Sequence, residues 1–179
     1  INNYNELQII NSLPNWYNIY IHILYNNIIN KELQIFKNKK NIYYLKLDDC
    51  NNISDVSALG SCKKLILNYC RNITDVSALG SCKKLILKSC DKISDVSALG
   101  NCYNLILCWC ENITDVSALG NCYNLTLYGL NISDVSALGS CHNLILERCN
   151  NISDVSALVS CQNLILNDCE NISNVSVFG

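Results

Sequence analysis

Leucine recurs along this chain at a fixed interval: Leu45, Leu65, Leu85, Leu105, Leu125, Leu144 and Leu164, a period of 20 residues with one step of 19. Within each interval the apolar positions follow two rhythms. Leu65 and Leu67 alternate with Lys64, Ile66 and Asn68, the period-two pattern of a short strand with both leucines facing one way. Cys70, Ile73, Val76, Leu79 and Cys82 then mark further inward positions on the path to the next leucine. The segment Asp75-Val76-Ser77-Ala78-Leu79-Gly80 is too short for a full helix and predicts one helical or 3₁₀ turn. Thr74 or Asp75 is expected to accept hydrogen bonds from its free N–H groups, and Gly80 to end it in the left-handed conformation. One strand and one turn cannot bury their own leucines. Stacked units bury them together, so the period predicts a solenoid with a parallel β-sheet on one face and short turns or 3₁₀ segments on the other.

Residues 1–41 do not repeat. Ile19, Ile23, Leu24, Ile28 and Ile29 fall near helical spacing, followed by Leu33, Ile35 and Phe36. Pro14, the only proline, stands between Ser12 and Asn15 and suits a helix start. One or two helices are therefore expected here, an N-terminal helical cap ahead of a solenoid over 42–179 with about seven 20-residue repeats. The repeat departs from its pattern in three places. Tyr128-Gly129-Leu130-Asn131-Ile132 is one residue short and lacks the usual cysteine, with Leu130 expected to fill the inward site. Val159 replaces the turn glycine, where a positive φ would be costly, so that turn is expected to differ. Asn174 stands in the aspartate column and the sequence stops at Gly179 without a polar cap. The expectation is an open sheet edge, continued by further chain or covered by another molecule through self-association.

Leu65-x-Leu67-x-x-Cys70-x-x-Ile73 resembles the cysteine-containing form of the leucine-rich repeat, and Ile73-Thr74-Asp75-Val76-Ser77-Ala78-Leu79 resembles the I-x-D-[IV]-S-x-L segment of internalin-like repeats. The match covers about residues 42–179. It implies an α/β solenoid of the leucine-rich repeat kind, a right-handed coil. The abundance of Asn, Ile, Lys and Tyr and the near-identical DVSALG repeats also resemble the leucine-rich repeat proteins of giant DNA viruses of amoebae (Mimivirus-like), which implies a viral protein of the host cytoplasm or virion. Leu13-Pro14 ahead of a helix resembles the opening of an F-box, but the later Trp-containing segment of that motif is absent.

Half of the residues are hydrophobic, enough for a sizeable core, and the net charge of −2 argues against a nucleic-acid partner. No apolar run is long enough to span a bilayer, and no leader pattern is visible, so an intracellular location is expected. The sequence starts at Ile1 and has no methionine, which reads as a fragment or processed product. Its 13 cysteines fall into two columns: Cys50, Cys70, Cys90, Cys110, Cys149 and Cys169; and Cys62, Cys82, Cys102, Cys122, Cys141 and Cys161. Only Cys108 lies outside both. Period-locked cysteines read as buried free thiols stacked rung on rung. A rung spacing of ~4.8 Å would still let an oxidising environment bridge neighbours.

If the leucines face inward, Ile66, Ile86, Ile106, Ile145 and Ile165 face outward as an apolar stripe on the sheet, interrupted by Thr126 and preceded by Lys46. Variable residues surround it, among them Lys88, Trp109, Tyr128, Glu147 and Arg148. Contiguous apolar patches mark interaction sites, and central aromatic residues often anchor them. The expected function is a non-enzymatic protein–protein interaction module binding through this face. A structural, self-assembling protein is the alternative, and an F-box-like ubiquitin-ligase adaptor the third reading. The column Asp55, Asp75, Asp95, Asp115, Asp134, Asp154 is read as turn capping rather than a cation ladder, since no calcium-loop glycines accompany it. The cysteines lack paired Cys-x-x-Cys spacing, so neither metal nor cofactor is expected. His22 and His142 have no nucleophile or carboxylate pattern around them, so no catalysis is expected.

Overall fold

The protein is described from a computed structural model that covers residues 8–10, 12–14, 18–24, 28–37, 39 and 42–173. Eight parallel strands form one sheet in sequence order: β1 Ile19–Leu24, β2 Ile42–Asp48, β3 Lys64–Asn68, β4 Lys84–Lys88, β5 Asn104–Cys108, β6 Asn124–Tyr128, β7 Asn143–Glu147 and β8 Asn163–Asn167. Leu65 pairs with Leu85, Leu85 with Leu105, and so on to Leu164, with each strand one repeat from the next. The opposite side is a row of 3₁₀ turns such as Ser77–Ser81 and Ser117–Asn121. The chain is a leucine-rich repeat solenoid, as its period implies.

One coil shows why the sequence folds this way. Leu65, Leu67, Cys70, Ile73, Val76, Leu79 and Cys82 are all buried at 1% exposure or less. Burying each leucine contributes ~1.5–3 kcal/mol, and only the coils above and below make that burial complete. Asp75 Oδ1 accepts the Ser77 N–H at 2.8 Å, and the same bond recurs at Asp55, Asp95, Asp115, Asp134 and Asp154. Leu130 is buried in the shortened coil, as expected for the inward site that cysteine holds elsewhere.

Four expectations are corrected. The apolar spacing of Ile19, Ile23 and Leu24 is not helical. These residues lie in β1, whose alternation Ile19, Ile21 and Ile23 buried against Tyr20 and His22 exposed is a strand pattern. Pairing with β2 decides it, so the cap extends the sheet; its helical parts are residues 8–10, Asn30–Leu33 and the 3₁₀ turn Gln34–Phe36. Leu33 and Phe36 are fully buried, and Asn30 ties the cap to the first turn by accepting the Ser54 and Asp55 N–H groups. Second, the turn glycines do not adopt a left-handed backbone: Gly60 has φ −60° and Gly100 φ −59°. They are needed for space, because a Cβ on Gly100 would lie 2.2 Å from the Ala118 carbonyl oxygen of the next coil. Third, the turn with Val159 does not differ, spanning Ser156–Ser160 like its neighbours. Fourth, the helix start expected around Pro14 is not seen at its described residues, since Ser12 ends a helical segment and Pro14 follows it without helix; Asn15 and the changes at Asn174 and Gly179 lie outside the described residues.

All 13 cysteines are free thiols, ten of them buried. Their role is more specific than apolar filling. Cys90 Sγ donates to the Leu67 carbonyl at 3.5 Å, Cys110 to Leu87 at 3.7 Å and Cys122 to Leu99 at 3.5 Å. Each thiol thus meets a corner carbonyl of the preceding coil, a small apolar body carrying the weak donor that the buried backbone wants. Burial raises these thiols, Cys102, Cys110 and Cys141 to about 11 and Cys82 to about 12, so they remain protonated at neutral pH.

A candidate binding face on the sheet

The outward side chains of the sheet form three columns. The central one is His22, Lys46, Ile66, Ile86, Ile106, Thr126, Ile145 and Ile165. Ile66, Ile86, Ile106 and Ile145 face out as expected but are half-buried by their neighbours; Ile165 is 53% exposed. The stripe is therefore a continuous apolar floor rather than a ridge. Lys88, Cys108, Tyr128 and Glu147 follow one another in the next column, directly in register.

Beside that column runs a rim with an unusual backbone. Asp49, Tyr69, Ser89, Trp109, Gly129, Arg148 and Asp168 all have positive φ, between 50° and 62°. The kink is held by a bond at each strand end: Tyr69 N–H donates to the Lys88 carbonyl at 2.8 Å, and Trp109 N–H to the Tyr128 carbonyl at 2.9 Å. Asp tolerates this region and Gly prefers it, but Tyr, Trp and Arg pay ~1–2 kcal/mol each. Large side chains are retained where glycine would be easier, and sparsely populated backbone of this kind clusters at ligand-binding sites.

Trp109, Tyr128 and Arg148 come together as one cluster. The indole meets the Tyr128 ring edge-on at 5.0 Å, the Arg148 guanidinium lies 5.8 Å from the same ring, and Arg148 Nε is 3.4 Å from Asp168 Oδ2. Gly129 makes this packing fit, because a Cβ there would lie 2.4 Å from the Trp109 ring. A notch of about 520 Å³ lies beside it, bounded by Trp109, Gly129, Asn131, Arg148 and Asp168. Lys88 and Glu147 flank the cluster.

The opposite rim was missed from sequence. Lys63, Lys83, Tyr103, Tyr123, His142 and Gln162 occupy one repeat position, and Lys64, Lys84, Asn104, Asn124, Asn143 and Asn163 the next. In coils five to seven Tyr103 stacks on Tyr123 at 4.8 Å and Tyr123 on His142 at 4.2 Å, so His142 completes an aromatic ladder. Beneath it the asparagines bond side chain to side chain, Asn163 Nδ2 to Asn143 Oδ1 at 2.6 Å. In coils three and four the same positions are four lysines. Lys64 pairs directly with Lys84 in register, and like charges directly opposite on neighbouring strands are destabilising. Among the described residues none of these lysines meets a carboxylate; Asp48 is already taken by Lys46 at 2.6 Å and His22 at 3.5 Å. The charge is also divided along the chain: after Lys92 the only Lys or Arg is Arg148, while Asp95, Glu111, Asp115, Asp134 and further acids continue. Counting charges by repeat position, rather than over the whole chain, would have found this.

Among the described residues no group of three His, Cys, Asp or Glu side chains is placed to hold a metal ion, and no helix is long and apolar enough to cross a membrane.

No protein-family model and no curated protein matches the chain. Solved structures do. An internalin (inlF) of Listeria monocytogenes is similar at 29% identity and a TM-score of 0.51, over 72% of this chain and 41% of that one. Internalin C2 (inlC2) of the same bacterium is similar at 29% identity and a TM-score of 0.56, over 75% of this chain and 64% of that one. The chain spans less than two thirds of either protein. The likeness agrees with the sheet and its turns: the fold is a leucine-rich repeat solenoid similar to that of the internalins.

Proposed function

We propose that the chain is a non-enzymatic protein-interaction module that docks a partner protein on its sheet face. The observation that carries this reading is where the repeat varies. The inward and turn positions are copied from coil to coil, whereas the column Asn68, Lys88, Cys108, Tyr128, Glu147 and Asn167 and the left-handed rim beside it change at every step, the rim holding Trp109, Tyr69 and Arg148 against a backbone preference for glycine. Half-buried isoleucines supply an apolar floor, and Trp109, Tyr128 and Arg148 are the residue types that dominate interface energetics. Similarity to internalins, whose fold generally serves as an interaction scaffold, supports the same reading.

The test is affinity purification with the full chain, identifying retained proteins by mass spectrometry and repeating with Ile86→Asp plus Ile106→Asp and with Trp109→Ala. Loss of a specific partner, at least tenfold in affinity, with an unchanged melting curve is expected. Undiminished retention by all three changes combined would remove the sheet face as the docking site.

A further inference from the structure

We infer that the coils from Tyr44 to Lys88 seat an acidic segment of the partner, one that alternates Asp or Glu with apolar side chains. This rests on the sheet face being the docking face and names the chemistry it accepts. Lys63, Lys64, Lys83 and Lys84 stand on two adjacent coils, with Lys64 and Lys84 in direct register. No carboxylate among the described residues lies within ion-pair distance of any of them. Asp48, the carboxylate on the neighbouring strand β2, is held by Lys46 and His22. The aspartates of the turns, Asp55, Asp75 and Asp95, each cap their own Ser N–H on the far side of the coil. The cluster therefore lacks the counter-charge that would relieve it, and a ligand bearing carboxylates supplies one.

Two features select a peptide over other polyanions. Ile66 and Ile86 lie immediately beside Lys64 and Lys84 in the same strands, offering an apolar floor that a sugar–phosphate backbone leaves uncovered. Most of the neighbouring rings pack on one another or on a cation, Tyr103 on Tyr123, Tyr123 on His142, Tyr20 against Tyr43 and Tyr44, and the Lys64 ammonium 4.8 Å over Tyr44, which leaves Tyr69, among the described residues, as the one ring of these coils without such a contact. Single-strand binders need open aromatic platforms. An acidic–apolar strand satisfies both surfaces at once, carboxylates on the lysines and alternate side chains on the isoleucines.

The experiment uses the full chain and three fluorescent probes: a peptide alternating Glu with Leu or Val, a polyglutamate of equal charge, and an oligothymidylate of equal charge. The alternating peptide is expected to bind at least fivefold tighter than polyglutamate, to weaken at least tenfold between about 50 and about 500 mM NaCl, across which the screening length shrinks from about 14 Å to about 4 Å, and to lose at least tenfold in Lys64→Glu plus Lys84→Glu. Lys84→Gln separates binding from folding: relief of repulsion leaves its melting temperature equal or higher while peptide affinity falls. Equal binding of polyglutamate, tighter binding of oligothymidylate, or a lysine variant with unchanged affinity overturns the inference. Concentration-dependent growth in solution mass that the lysine changes abolish would also overturn it, assigning the platform to the acidic half of a second copy. Should the lysine variants bind normally while Ile86→Asp plus Ile106→Asp still loses the native partner, this inference fails and the docking face stands.

Discussion

The turn side and the sheet side of each coil are built from the same repeat, yet they obey different rules. On the turn side Asp-Val-Ser-Ala-Leu-Gly is nearly invariant because each position is claimed by a neighbour: the aspartate by the Ser N–H, Val and Leu by the core, the glycine by a carbonyl of the following coil. On the sheet side the outward positions touch other outward side chains and not the core, so lysine, isoleucine, tyrosine and asparagine all fit. Stacking thus sets one face and leaves the other free to carry recognition. The duplicated unit is a scaffold, and what differs between its copies is the information.

The largest effect should come from the turn side. Gly100→Val forces a side chain into the Ala118 carbonyl, where even a Cβ would lie 2.2 Å away. A loss of more than ~3 kcal/mol in denaturant unfolding is expected, or failure to fold, as for overpacking against a backbone that cannot retreat. A mild effect would mean that the coils can slide apart, and that turn identity reflects duplication alone.

Next is alkaline pH. The buried thiols have folded pKa values raised by burial, Cys102 to about 11 and Cys82 to about 12. A thiol raised in the folded state stabilises fully below its unfolded value of ~8.5, and loses that contribution as pH rises toward the folded value, at ~1.4 kcal/mol per pH unit for each such group. Nine of the ten buried thiols are raised in this way, Cys70 being lowered by the hydrogen bond from Cys50, so the melting temperature should fall steeply between about pH 8.5 and 10. A flat profile would contradict burial of the thiols. Cys108, Cys161 and Cys169, the three that are only half-buried, should react with a thiol reagent ahead of the ten buried thiols in the native protein.

A smaller effect distinguishes the aspartates. The Ser N–H bonds hold Asp75, Asp95 and Asp115 below the usual carboxylate range. Their contribution is present above the ordinary value of ~4 and is lost as pH falls through the depressed folded values. Asp95→Ala should therefore melt below the parent at pH 7, with the gap closing toward pH 2 (a value roughly two units under the ordinary carboxylate pKa). A gap independent of pH would assign Asp95 a role other than capping. The smallest change is expected on the rim. Ser89→Gly relieves a left-handed backbone at φ 50° and should gain about 1 kcal/mol or less. Destabilisation there would show that the rim side chains serve the fold and not a ligand.

Much of this was legible in advance. Leu65 and Leu67, the short strands, the 3₁₀ turns and the inward place of Leu130 all follow from the period and its alternation, because each is a local pattern repeated until it is unambiguous. The cap was not repeated, and there Ile19, Ile23 and Leu24 satisfied a helical spacing as well as a strand alternation. Only the neighbouring β2 could choose between them. Trp109, Tyr128 and Arg148 were recognisable as a variable group, but their contact depends on Gly129 and the shortened coil.

By itself the amino-acid order determined the coil: which residues turn inward, how long each rung is and where one residue is missing. Burial of leucine is a property that periodicity records directly. The tertiary structure decided everything that depends on the distance between coils. It placed the glycines against carbonyls, gave eleven of the thiols a carbonyl of the preceding coil to meet, joined Tyr103, Tyr123 and His142 into a ladder and brought four lysines together without a counter-charge. Those residues stand a full repeat apart in sequence, and only stacking at strand spacing turns that separation into contact.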